Sequence, residues 1–248
     1  MLHNLPSTPK SLNKGRCAFY TGVYVTVFGL IVFRVDEGHE ALMRQSLLNL
    51  SAEGFELPTV VDHSWLTLGN VRTDIPVIDL DKHVSWREIV KAVWRGTTCF
   101  AAQHPAHSMR CRGESVRMAY QEMTETVETG FAAAVNQSLS WEQRSLRFGS
   151  VLHTIQDSYC TAHVQRIDNG DPASPLIDMY TYPSRQHPLT TVRDGVWQDR
   201  NCTAFKPEAA AAIHTTVEAL KFFVRQSLNG LDKFMDTYLA FRPDIKGL

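Results

Sequence analysis

The chain has 248 residues, 44% of them hydrophobic and 21% charged, which suits a folded protein with a substantial core and excludes a disordered one. Its 25 basic and 26 acidic side chains leave a formal net charge of -1, so there is no electrostatic footprint of a duplex-binding protein. Five cysteines without a C-x-x-C pair neither demand a disulfide framework nor resemble a structural zinc ribbon, whereas ten histidines are a generous supply of the commonest metal ligand.

At the N-terminus, Lys10, Lys14 and Arg16 precede an apolar run from Cys17 to Phe33, the charge-then-apolar order of an export signal or a short membrane anchor. The run is shorter than the roughly 20 residues that span a bilayer, and Tyr24-Val25-Thr26-Val27-Phe28 would equally suit a buried strand. Residues 1–34 are therefore expected to form a separate apolar segment ahead of a domain at 35–248. Export or membrane association is expected over a cytoplasmic location.

Gly38 to Leu50 predicts an amphipathic helix with His39 in its first turn, where the partial positive charge of the helix end favours a neutral ring able to ligate a cation. Gly54 to Pro58 breaks it. From Trp65 to Pro76, Gly69-Asn70 and Ile75-Pro76 read as turn signals and put Asp74 on an irregular segment. Ser85 to Trp94 predicts a helix capped by Ser85 and Glu88, and Phe100 to Arg110 a loop with His104 and His107 around Pro105.

Glu114 to Asn136 predicts a long helix interrupted near Gly130, and Ser140 with Gln143 opens the next one. Ile167 to Arg200, without sustained period, reads as one long ordered loop containing His187 and Asp194. Pro207 to Asn229 predicts a helix with His214 and Glu218 on one face, stopped by Asn229-Gly230, and Leu231 to Phe241 a last short helix. Strand signals are few outside residues 20–33, so the expected fold is mainly α, a single all-α multi-helix domain.

The most informative stretch is Ser150 to Arg166. His153 and Asp157 are one helical turn apart and project from the same face, and Val151, Leu152, Ile155 and Tyr159 supply an apolar stripe between them. With His163 following, the group suits zinc, which takes nitrogen and oxygen ligands; the alternative is a buried helix whose polar groups pair with one another.

His39, Asp74, His104 or His107, His153, Asp157 and His163 follow one another along the chain, with H-x-x-x-E at His214 and Glu218. This order, carried by G-H-E-A-L-M-R at 38–44, G-N-V-R-T-D-I-P at 69–76, H-S-M-R at 107–110 and L-H-T-I-Q-D-S-Y-C-T-A-H-V-Q-R at 152–166, resembles the zinc-dependent phospholipase C superfamily, which also contains single-strand-specific nucleases. The resemblance implies an all-α fold with a multinuclear cleft holding up to three zinc ions. Asp74, His107, His153 and Asp157 would hold one. Asp157 would bridge to a second, shared with His39 and with the amino-terminal residue of a chain cleaved shortly before His39. His163 would hold the third, together with either His214 and Glu218 or His187 and Asp194. Thr161 stands where the family usually has proline.

The implied activity is a phospholipase C that hydrolyses the head-group phosphodiester of glycerophospholipids with a metal-activated water. Asp74 would orient or deprotonate that water, Arg110 and Arg166 would meet the phosphate, and Tyr159, Tyr180, Tyr182 and Trp197 would line the cleft. The expected partner is a phospholipid or membrane surface, and no protein partner is implied. A single-strand nuclease with the same metals is the alternative, disfavoured by the near-neutral charge. A non-catalytic metal-binding or membrane-anchored domain is the third.

Overall fold

The computed structural model describes residues 22–25, 31–34, 37–73, 104–111, 113–181, 197, 204–242 and 244. In chain order they form β1 (Gly22–Val25), β2 (Ile31–Arg34), α1 (Glu37–Ala52), α2 (His63–Arg72), a 3-10 turn at His104–His107, α3 (Val116–Val135), α4 (Trp141–Asp157), β3 (Val164–Arg166), β4 (Leu176–Met179), α5 (Pro207–Arg225) and α6 (Leu231–Tyr238). The chain is mainly helical, and the all-α expectation is amended by two antiparallel strand pairs, β1 with β2 and β3 with β4.

Helix α4 organises the rest. It starts on the Ser140–Gln143 capping box, in which the serine hydroxyl accepts from the Gln143 amide and the Gln143 side chain accepts from the Ser140 amide. From Val151 to Asp157 every residue is buried, so the helix has no solvent face there and must be covered on all sides. On one side α2 covers it at backbone distance: a Cβ on Gly69 would lie 2.1 Å from the Leu146 carbonyl oxygen, and one on Gly149 2.2 Å from that of Leu66. On another, α3 packs Gly130 against Val151, whose methyl occupies the space a Cβ would need. On a third, Phe148 stacks on Phe223 of α5 with ring centroids 5.1 Å apart. The core continues from here through Leu42, Leu50, Leu66, Phe131, Leu152, Ile155 and Leu220.

These contacts correct three expectations. Gly69-Asn70 lies inside α2 rather than in a turn, because the absent side chain serves the approach of α4. Helix α3 runs unbroken through Gly130 for the same reason. The loop expected over 167–200 contains β4, which pairs with β3 across a bulge at Gln165/Arg166. Of the apolar run at 17–33, residues 22–25 pair with 31–34 as an antiparallel hairpin. Among the described residues no helix is long and apolar enough to cross a membrane. The helix expected at 85–94 lies outside the described residues.

Candidate metal centre

Asp157, the last residue of α4, is the point on which histidines from four parts of the chain converge. His153, one turn earlier on α4, puts Nε2 3.0 Å from Asp157 Oδ2. His39, in the first turn of α1, puts Nε2 3.3 Å from Oδ1. His107, closing the 3-10 turn, puts Nδ1 3.0 Å from Oδ2, and His163, just before β3, puts Nδ1 3.3 Å from the same oxygen. His39, His153 and Asp157 are wholly buried and His163 nearly so, whereas His107 is partly exposed and forms the rim of the group.

Local backbone structure sets the positions of these side chains. Ser108, directly after His107, has the left-handed φ of 51°, uncommon for a residue with a side chain, and its buried hydroxyl donates to the Thr154 carbonyl of α4 at 2.8 Å. His163 is returned to the end of α4 by a turn in which its amide donates to the Cys160 carbonyl at 2.9 Å. The segments carrying His107 and His163 are then tied through one residue, since the Tyr180 amide donates to the His163 carbonyl at 2.7 Å and the Tyr180 carbonyl accepts from the Arg110 amide at 3.1 Å. His39 packs against two rings, with His153 tilted towards it at 4.0 Å between centroids and Trp197 edge-on at 6.0 Å.

Protons alone satisfy this geometry poorly. His107 Nδ1 and His153 Nε2 are 3.1 Å apart and each is 3.0 Å from Oδ2. If one ring donates to the other, the carboxylate loses that donor; if both carry protons there, the two N–H groups crowd each other. Oδ1, wholly buried, accepts no hydrogen bond from any described residue. A cation resolves the conflict. A tetrahedral zinc with bonds of about 2.0–2.1 Å separates its ligand atoms by roughly 3.3 Å, close to the 3.0–3.3 Å seen around Asp157. His39, His153 and Asp157 form a buried group that can hold a metal ion.

Burial and the neighbouring His39 lower the His153 pKa to about 4, against the pull of Asp157, so the ring is neutral at physiological pH as a ligand must be. Burial by itself would raise the Asp157 carboxyl, but His163, His153 and His39 outweigh it and hold the group well below the ordinary aspartate value.

The other expected site residues fall elsewhere. His163 sits on the same carboxylate oxygen as His107 and His153, not at a separate position. His214 is exposed on α5, with Nε2 3.3 Å from the Tyr238 hydroxyl, and Glu218 pairs with Lys221, which also reaches Glu53 at 2.7 Å; neither joins the cluster. Asp74, His187, Asp194 and Tyr182 lie outside the described residues, and of His104 only its place at the start of the 3-10 turn is described.

Arg166 and Tyr159, expected to face substrate, belong instead to the core. The Arg166 guanidinium donates to the carbonyls of Ser158, Ser174 and Tyr238 and lies 3.8 Å above the Tyr159 ring. The Tyr159 hydroxyl donates to the Pro172 carbonyl at 2.7 Å and accepts from Thr215 at 2.8 Å. Arg110 is half-buried, with one terminal nitrogen 3.3 Å from the Glu114 carbonyl.

Sequence reasoning did not single out the polar residues behind the ligands. Gln156 Oε1 lies 2.8 Å from His39 Nδ1 and 3.1 Å from Asn70 Nδ2, while its amide nitrogen is 3.4 Å from Thr216 Oγ1. The sequence signal for Gln156 is a long amide one residue before Asp157, within the stretch between His153 and His163.

No family model, curated protein or solved structure matches the chain.

Proposed function

We propose that the protein is a zinc-dependent phosphodiesterase, and that a phospholipase C acting on glycerophospholipid head groups is its form. The observation that carries this is the convergence of His39, His107, His153 and His163 on the two oxygens of Asp157. Four imidazoles and a carboxylate exceed what a single four-coordinate ion takes up, which supports more than one zinc; His39, His107, His153, His163 and Asp157 would hold them.

Zinc supplies Lewis acidity to such a reaction, neutralising phosphate charge and lowering the pKa of water towards neutrality. The chain's own part would be to keep His39, His153 and Asp157 out of water, to admit the substrate at the partly exposed His107 edge, and to meet the remaining phosphate charge with Arg110. Asp74 is assigned the attacking water, which it orients or deprotonates. The -1 net charge favours a lipid over a polyanionic nucleic acid.

Metal analysis of the purified protein, followed by assays on phospholipid vesicles and single-stranded DNA with chelator and with zinc restored, tests the proposal. The expected result is bound zinc and chelator-sensitive release of a phosphorylated head group, abolished by Asp157→Asn and by Asp74→Asn. Bound zinc without hydrolysis of either substrate would instead favour a structural metal-binding domain, a reading supported by the complete burial of His39, His153 and Asp157.

A further inference from the structure

We infer that Gln156 is a positioning residue for the metal centre: it fixes His39 as the Nδ1–H tautomer and thereby presents the Nε2 lone pair to the ion beside Asp157.

Donor and acceptor roles can be followed along one buried chain of contacts. The Thr216 hydroxyl spends its only hydrogen on the Ala212 carbonyl at 2.7 Å, so towards Gln156 it can only accept. The Gln156 amide group therefore turns its NH2 to Thr216 at 3.4 Å and its carbonyl oxygen to the other side. That oxygen, with no proton to give, is met by Asn70 Nδ2 at 3.1 Å and by His39 Nδ1 at 2.8 Å. Nδ1 must carry the hydrogen. In a neutral imidazole the lone pair is then on Nε2, the atom 3.3 Å from Asp157 Oδ1.

With His39 neutral, Nε2 and Oδ1 both offer lone pairs, and a cation held by both would satisfy them. Gln156 is wholly buried, so its orientation is not averaged by solvent, and its place next to Asp157 on α4 couples His39, from a different helix, to the ligand that it faces. Asn70 arrives at the same oxygen because α2 touches α4 at Gly69 and Gly149.

This role presupposes the metal centre proposed above, and the test separates the two. His39 in protein labelled with 15N-histidine is read by long-range 15N–1H NMR in the zinc-free state, and zinc affinity is read by competition with a chromophoric chelator. The wild type is expected to show the Nδ1–H tautomer. Gln156→Leu should give a mixture of tautomers and a loss of about 10- to 100-fold in zinc affinity. Gln156→Glu, which keeps the acceptor, should retain both the tautomer and the affinity. If Gln156→Leu does not fold, Thr216→Val, which releases the Gln156 amide, should show the same shifts in weaker form. An Nε2–H tautomer in the wild type, or removal of the acceptor with tautomer and affinity unchanged, overturns the inference. Absence of zinc binding in the wild type overturns the proposed metal centre, while the tautomer measurement still decides the role of Gln156.

Discussion

Gly149 of α4 and Leu66 of α2 approach so closely that a Cβ on the glycine would lie 2.2 Å from the leucine carbonyl oxygen and 2.8 Å from the Asn70 amide nitrogen. Both obstacles are main chain inside a helix and cannot swing aside. Gly149→Ala is therefore expected to destabilise the protein by at least about 3 kcal/mol, the upper range for overpacking, measured as a lower urea midpoint. Because Asn70 is displaced with α2, affinity of the proposed centre for zinc should fall as well. Gly54→Ala is the contrasting case, with open space but a φ of +81°, and should cost only about 1 kcal/mol with zinc affinity intact.

Acid should destabilise the metal-free protein through His153. Burial and His39 lower the folded-state pKa of His153 from 6.5 to about 4, so between these values the unfolded chain takes up a proton that the folded chain refuses. Stability is complete above pH 6.5 and falls as pH drops towards 4, by about 3 kcal/mol from this residue. Asp157 acts lower: its folded pKa lies well below 3.8, so its contribution persists above that value and is lost only on further acidification. Urea titrations in chelator at pH 7 and pH 4.5 should show a steep loss in the wild type and a shallower one in His153→Leu. Parallel losses in the two would assign the acid sensitivity to another group.

Helix α4 shows how far sequence reached into the fold and where it stopped. Its capping box and its H-x-x-x-D spacing are local, and both can be read from Ser140, Gln143, His153 and Asp157 alone. Glycines 69 and 130 misled because their local preference is to break helices, whereas the packing of α4 against each of them decides the outcome. Strands β3 and β4 are three and four residues long, too short to display a period. Within the centre, the five converging side chains were legible because few residue types ligate metals. Gln156, Asn70 and Thr216 were not, since amides and hydroxyls serve many roles and only the folded chain shows which groups they meet.

Ser108 gives a direct measure of the backbone strain behind His107. Its left-handed φ of 51° is held by the hydroxyl that donates to the Thr154 carbonyl. Ser108→Ala keeps the strain and loses the bond, for an expected loss of about 1–2 kcal/mol. Ser108→Gly loses the same bond but relieves the strain, and should be more stable than the alanine variant by about 1 kcal/mol. Paired thermal denaturation of the two variants checks the order; alanine equal to or better than glycine would mean that the turn relaxes without the serine.

Arg166 separates a structural from a phosphate-binding arginine. Its donors are committed to the Ser158, Ser174 and Tyr238 carbonyls and to the Ser158 hydroxyl at 3.2 Å, joining the end of α4, the turn before β4 and the end of α6. Lysine keeps the charge but has neither the planar fork that reaches several carbonyls at once nor the flat face that stacks on Tyr159. Arg166→Lys should therefore lose about 3 kcal/mol of stability, seen as a lower Tm, because buried carbonyls are left short of donors. At a temperature where the variant is folded, zinc affinity and KM for a phosphodiester should stay at wild-type values. A normal Tm with a raised KM would instead return the guanidinium to the substrate. Arg110→Lys is the companion measurement, since a phosphate contact at the His107 edge would raise KM while leaving Tm nearly unchanged.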